Sequence, residues 1–166
     1  VVLGLPSSGL HTNGYSLARK LFFEIGEYDV NDTIPKLEKS VGLTLLEPHI
    51  NYTNHVFALL DAGIDIKGIA HITGGGLIEN IPRILPNGVG VDIQKTSWPV
   101  LPVFDVMQSL GNVDENEMFR AFNMGIGIVF IVSPNDVKAV QDILKDLTTV
   151  YRIGSTISGS RKLIMG

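Results

Sequence analysis

The sequence predicts an α/β (α+β) fold, a mixed sheet covered by helices in a three-layer α/β/α arrangement. Three observations predict it. Of 166 residues, 45% are apolar and 18% charged, the balance of one globular domain with a real core. Short apolar runs of strand length interleave with segments whose apolar residues recur every three or four positions. The run Ile126 to Val132 is continuously apolar, which suits a strand covered on both faces.

The elements follow in order. Val1 to Leu5 reads as a strand, and so abrupt an entry is expected of a domain preceded by more chain. The polar loop Pro6 to Gly14 comes next. Leu17, Ala18, Leu21, Phe22 and Ile25 then share one helical face, with Gly26 placed to end it. Residues 26–46 read as a surface excursion, with a short exposed helix around Pro35 to Lys39 and a break at Gly42. Glu47 to Asn51 turns into a helix whose buried face is Tyr52, Val56, Leu59 and Leu60; Gly63 lies just past its end and His55 on its exposed side. Ile66 to Ile72 is a second strand. Leu77, Ile81 and Ile84 open a helix that Pro82 is expected to kink or divide.

Val89, Val91 and Ile93 alternate as a strand. After the turn at Ser97 to Pro99, Val103, Phe104, Met107 and Leu110 fit a helix ending at Gly111. Asp114 and Glu117 form a capping-box pattern ahead of Met118, Phe119 and Phe122. Ser133, Pro134 and Asp136 give cap, first-turn proline and acid for a helix whose stripe is Val137, Val140, Leu144 and Leu147. Val150 to Ile153 and Leu163 to Met165 are the last strands.

Composition excludes several functions. No apolar run approaches the ~18–20 residues of a membrane span. Zero Cys excludes disulfides and thiolate metal sites and is compatible with the cytosol. A net charge of −4 without a basic run argues against a nucleic-acid partner. The four His, at 11, 49, 55 and 71, lack zinc-site spacing, so no metal ligands are expected in this chain. A nucleophile elbow, a Walker A loop and a complete dinucleotide-binding fingerprint are also missing.

One stretch does point to a ligand. His71-Ile72-Thr73-Gly74-Gly75-Gly76-Leu77 joins a strand to a helix start through three glycines. Such a junction aims free N–H groups, aided by the helix dipole, at an anion. The triplet alone is equally compatible with a ligand-free hinge. The loop Pro6 to Gly14 offers a second junction of the same kind, with Ser7, Ser8, His11 and Asn13. Ser7, Ser8 and Asn13 could each serve as a simple helix cap; as a set the loop residues favour a ligand loop. By chemistry alone the chain is an anion-binding α/β domain without its own catalytic set.

Five stretches resemble one family. Gly4 to Leu17 (Gly-Leu-Pro-Ser-Ser-Gly-Leu-His-Thr-Asn-Gly-Tyr-Ser-Leu), Leu46-Glu47-Pro48, His71 to Gly76, Glu79-Asn80-Ile81-Pro82-Arg83 and Phe122 to Gly127 are similar, in order, to aminoimidazole ribonucleotide synthetase. That family is also called phosphoribosylformylglycinamidine cyclo-ligase. Thr12 stands where Ser is usual, keeping the hydroxyl. The resemblance covers nearly the whole chain and corresponds to the family's C-terminal domain. It implies ATP-dependent closure of formylglycinamidine ribonucleotide to aminoimidazole ribonucleotide, ADP and phosphate in purine biosynthesis.

It also implies that ATP and Mg2+ are held mainly by an N-terminal domain outside residues 1–166, which builds a cytoplasmic homodimer. The 5′-phosphate of the substrate would sit on Gly74, Gly75, Gly76 and Asn13. Ser7, Ser8, His11 and His71 would shape the substrate cleft. For His71 a plain strand-end role stays open, as do a ligand or solvated role for His49, a position beyond ligand reach for Arg83, and a cleft-lining or turn-forming role for Asn123. No catalytic residue is assigned. The alternative is a non-catalytic phosphate- or nucleotide-binding domain of a related synthetase, such as formylglycinamidine ribonucleotide synthetase.

Overall fold

A computed structural model describes residues 1–166. Six strands form one mixed sheet: β1 (Val2–Pro6), β2 (Gly68–His71), β3 (Val89–Ile93), β4 (Ile126–Ile131), β5 (Tyr151–Ser158) and β6 (Leu163–Met165), in the spatial order β2-β4-β1-β5-β3-β6. Four pairings are antiparallel and only β3 with β6 is parallel. The helices are α1 (Tyr15–Arg19), α2 (Val41–Leu45), α3 (Thr53–Asp61), α4 (Gly76–Arg83), α5 (Pro102–Gly111), α6 (Glu115–Ala121) and α7 (Val137–Leu144).

The expected three layers are present. Alternation along the central strands sends Val1, Leu3, Leu5, Ile128 and Phe130 into one buried cluster, closed by Tyr52 and Leu59 beside α7's Val140 and Leu144. Val2, Val129 and Ile131 enter a larger cluster with Leu21, Phe22, Leu77, Phe104 and Phe119. Ile126 and Ile128 are two residues apart yet enter different clusters. The cause is a register shift between Leu5 and Pro6, which bulges the β1–β4 ladder at Gly127.

Several expectations needed correction. The helix that begins at Tyr15 continues through Lys20–Ile25 as a π-helix. Its wider turn breaks the 3.6-residue period, so Ile25 rotates out to 48% exposure instead of sharing the buried face. Pro35 to Lys39 form no helix. The helix in that region is α2, started by the Ser40 side chain accepting from the Leu43 N–H. Gly42 lies inside α2, donating to the Val30 carbonyl at 2.8 Å. The excursion is also better anchored than expected, because Ile34, Val41 and Leu45 are buried in the larger cluster.

His55, expected on the exposed side of α3, is buried with its ring 5.6 Å from that of Tyr52. Leu60 and Leu147, expected on buried faces, are about half exposed. Pro82 neither kinks nor divides α4, because it falls in the last turn, one residue before the helix ends at Arg83. Asp114 caps α6 by accepting from the Asn116 N–H rather than through a box with Glu117. No helix is long and apolar enough to cross a membrane.

Candidate functional site

β1 and β2 run in the same direction on either side of β4, so their carboxyl ends meet at one end of the sheet. The two loops singled out in the sequence, 7–14 and 72–76, therefore converge with the loops 47–52 and 122–125. Ligand sites of open sheets form at such carboxyl ends because the loops there are free of the ladder.

The glycine loop is held from within by Asn80. Its Nδ2 donates to the carbonyls of Gly76 at 2.8 Å and of Thr73 and Gly74 at 3.2 Å, and its Oδ1 accepts from Thr73 Oγ1 at 3.0 Å. Gly75 and Gly76 have φ of +97° and +56°, where side chains are strained. A Cβ on Gly76 would also stand 2.7 Å from the Phe122 carbonyl oxygen. The Gly76 N–H closes a turn onto the Thr73 carbonyl at 3.0 Å, whereas the N–H groups of Gly74 and Gly75 have no acceptor within the chain.

Asn13 stands across from this loop. Its Oδ1 lies 3.8 Å from the Cβ position of Gly74, and its Nδ2 is buried without a partner. A buried amide donor without an acceptor is costly, and a bound anion would satisfy it. The Glu79 carboxylate leans over Gly75, the wrong charge for an anion site. Arg83 reaches it at 3.3 Å and Arg120 at 4.0 Å, so two cations flank one anion. Arg83 also donates to Asn80 Oδ1 at 3.2 Å.

The 122–127 loop fixes the other side. Ser7 Oγ donates to Asn123 Oδ1 at 2.9 Å, which also accepts from the Gly125 N–H; Asn123 Nδ2 donates to the Gly9 carbonyl at 2.8 Å. Both side chains are buried. Asn123 thus forms the turn and ties it to the Ser7 loop, and Ser7 supports that loop from beneath. Ser8 Oγ donates to the Pro48 carbonyl at 2.5 Å and lines a separate hollow of about 290 Å³ with Lys39 and Glu47.

Three histidines gather beside these loops. His11, in the left-handed region at φ +59°, is buried. The Ser8 N–H donates to its Nε2 at 3.2 Å, so the neutral ring carries its proton on Nδ1, which has no partner. Its ring stacks on His49 with centroids 4.0 Å apart and planes 16° apart. His49 Nε2 lies 3.1 Å from His71 Nε2.

Desolvation, then the neighbouring His49 and His71, depresses the His11 pKa to about 4. Desolvation first and His49 second also lower that of His71. Tyr52 closes the floor, its hydroxyl donating to the Pro6 carbonyl at 2.7 Å, and burial raises its pKa. Gly127 makes room for it: a Cβ there would stand 2.7 Å from His11 Cε1 and 2.8 Å from Tyr52 Cζ. His49, Tyr52, His71 and Phe57 line an open cleft of about 520 Å³.

The sequence placed Tyr52 only on a buried helix face and Asn80 only within a family-like stretch, with no site role for either, and left His49 and Asn123 open. A local signal existed for Asn80, an amide four residues beyond Gly76 and able to reach back over the loop. No local signal exists for Tyr52, which meets the histidines only through folding. No group of three or more imidazole, thiolate or carboxylate side chains could hold a metal ion. The nearby carboxylates of Glu47 and Glu79 are paired with Lys39 and Arg83. This donor set does not fit Mg2+, which takes free carboxylates and phosphate oxygens.

The chain is 48% identical over 166 residues to the phosphoribosylformylglycinamidine cyclo-ligase of Caldanaerobacter subterraneus subsp. tengcongensis, covering 99% of this chain and 49% of that protein. It is 48% identical over 161 residues to the enzyme of the same name from Geobacillus thermodenitrificans, covering 96% and 46%. It therefore spans about half the length of these relatives. Among solved structures, the hydrogenase maturation protein HypE of E. coli superposes with a TM-score of 0.60 at 19% identity, over 99% of this chain and 45% of that one. That likeness shows a shared fold. A family model described as AIR synthase related protein, C-terminal domain, matches residues 1–165, and the chain belongs to that family.

Proposed function

We propose that this chain is the substrate-binding half of an ATP-dependent phosphoribosylformylglycinamidine cyclo-ligase. The longer protein would convert formylglycinamidine ribonucleotide and ATP to aminoimidazole ribonucleotide, ADP and phosphate in purine biosynthesis. The relatives at 48% identity carry that name. The observation that carries the role of this half is the meeting of Asn13, with its unpartnered Nδ2, and the glycine loop, with its open Gly74 and Gly75 amides.

In this reading those donors hold the 5′-phosphate, and Arg83 and Arg120 offset the Glu79 charge beside it. Charge-assisted bonds to a dianion are about twice as strong as neutral ones, so few are needed to fix the substrate. His71 faces the substrate side beside His49, with buried His11 packed against His49 and Ser7 and Ser8 bracing the loop. Positioning of this kind turns ring closure into a reaction between groups already in contact.

The Mg2+ and the ATP contacts belong to an additional N-terminal domain, consistent with a carboxylate set here that does not fit the metal. The longer protein works as a cytoplasmic homodimer on a small-molecule substrate, without nucleic acid or membrane. The test is to assay residues 1–166 and the longer protein side by side. ATP-dependent formation of aminoimidazole ribonucleotide is expected only from the longer protein. Turnover by residues 1–166 alone, or none by either, would overturn the reading.

A further inference from the structure

We propose that His49 and His71 are the two protein ligands of a site for a divalent d-block cation, zinc being the representative, with water completing its coordination. The site stands on geometry independent of the phosphate loop. The two Nε2 atoms are 3.1 Å apart. Zinc–imidazole bonds of about 2.0–2.1 Å at a tetrahedral angle span about 3.3–3.4 Å between nitrogens, within a few tenths of an ångström of that separation. A pair of imidazoles sharing one hydrogen bond and a pair chelating one ion look alike at this distance, and metal titration separates the two.

The His49 ring and the His71 backbone are held before any ion arrives. His49 lies flat against His11, a buried ring itself fixed by the Ser8 N–H. His71 is the last residue of β2, registered against Ile128 of β4. The far nitrogen of His49, Nδ1, lies 3.5 Å from Thr12 Oγ1. A proton on Nδ1 directed at that hydroxyl leaves the Nε2 lone pair free, the arrangement in which an outer partner fixes the tautomer of a ligating histidine.

The pair lines the open cleft of about 520 Å³, so water has access to the remaining positions. Imidazole nitrogen selects zinc, copper, nickel or cobalt over the hard cations magnesium and calcium, which take oxygen. With two protein ligands the ion is held less firmly than in a closed structural site and keeps open positions for a ligand of its own.

The experiment uses chelator-stripped protein without a histidine tag, titrated with Co2+ while its visible d–d absorption is followed, then with Zn2+ in competition and by calorimetry. One equivalent should bind, Zn2+ should displace Co2+, and Mg2+ should not. His49→Ala and His71→Ala should each weaken Zn2+ binding at least about tenfold, the loss that even an outer partner causes. Circular dichroism checks that each variant is folded, and His49→Gln and His71→Gln repeat the test with side chains closer in size. His55→Ala, which removes an imidazole from outside the pair, should leave affinity unchanged. Absence of Zn2+ binding by the parent, or parental affinity in the folded His49 and His71 variants, would show the 3.1 Å contact to be a hydrogen bond only and overturn the proposal.

Discussion

Asn13 and Gly74 face each other across the end of the sheet, with Asn13 Oδ1 3.8 Å from the position a Gly74 Cβ would take. They are 61 positions apart in the sequence. They meet because β1 and β2 run side by side with β4 between them. The three glycines of the facing loop are not equivalent. Gly74 has room for a side chain and no positive φ, whereas Gly75 and Gly76 have neither freedom.

That difference predicts a graded response. Gly74→Ala should change stability by no more than about 0.5 kcal/mol, as for an unconstrained surface site. Gly76→Ala should cost more than about 2 kcal/mol, because it combines backbone strain with a carbonyl oxygen against the new Cβ. Urea unfolding of the two variants gives the comparison.

Asn80→Ala should destabilise the protein by about 1–3 kcal/mol, since it removes a buried side chain that serves three carbonyls and one hydroxyl. Substrate affinity should fall as well, because the loop amides are then no longer held in place. Denaturant midpoints and calorimetry measure the two effects separately.

Gly127→Ala should cost about 1–3 kcal/mol, the usual range for overpacking. The Tyr52 hydroxyl is the atom closest to the added methyl. Tyr52→Phe in the same chain should therefore recover part of the loss. A double-mutant cycle in which the two changes simply add would contradict the contact.

His11 predicts an acid-sensitive fold. Its pKa lies near 4 in the folded chain against 6.5 for an unperturbed imidazole. Between these values the unfolded chain binds more protons than the folded one, so stability rises with pH there. The contribution of neutral His11 is complete above about pH 6.5 and is lost as pH falls through about 4. His11→Asn keeps a residue that tolerates positive φ and removes the titration. Its stability should depend less on pH across that window, as measured by urea unfolding in buffer containing a chelator.

Much of the fold was legible because its signals are local. The unbroken apolar run at Ile126 to Val132 marked a central strand, and the glycine triplet marked the strand-to-helix junction. The π-helical turn after Arg19 was not legible, since a 3.6-residue template cannot represent an added residue per turn. Ser40, the cap that moves a helix to Val41, is one hydroxyl in a polar stretch and reads equally as a loop residue. Both candidate loops were visible, but the histidine cluster was not. His11, His49 and His71 come from three separate segments, and only the strand order brings them together. His55 differs: it stands three residues from Tyr52, about one helical turn on, and its ring comes within 5.6 Å of the tyrosine ring, so a residue that periodicity puts on the exposed side is buried.

The central claim is that the glycine loop and Asn13 hold the substrate phosphate. Gly74→Asp puts a carboxylate at that point with little strain, and Gly74→Asn puts the same shape there without the charge. The measurement is the affinity of the longer protein for formylglycinamidine ribonucleotide by calorimetry, with the nucleoside lacking the 5′-phosphate as reference. The account predicts a loss of about ten- to over a hundredfold for Asp, a much smaller loss for Asn, and no such contrast with the nucleoside. Equal losses for Asp and Asn, or the same contrast without the phosphate, would contradict it.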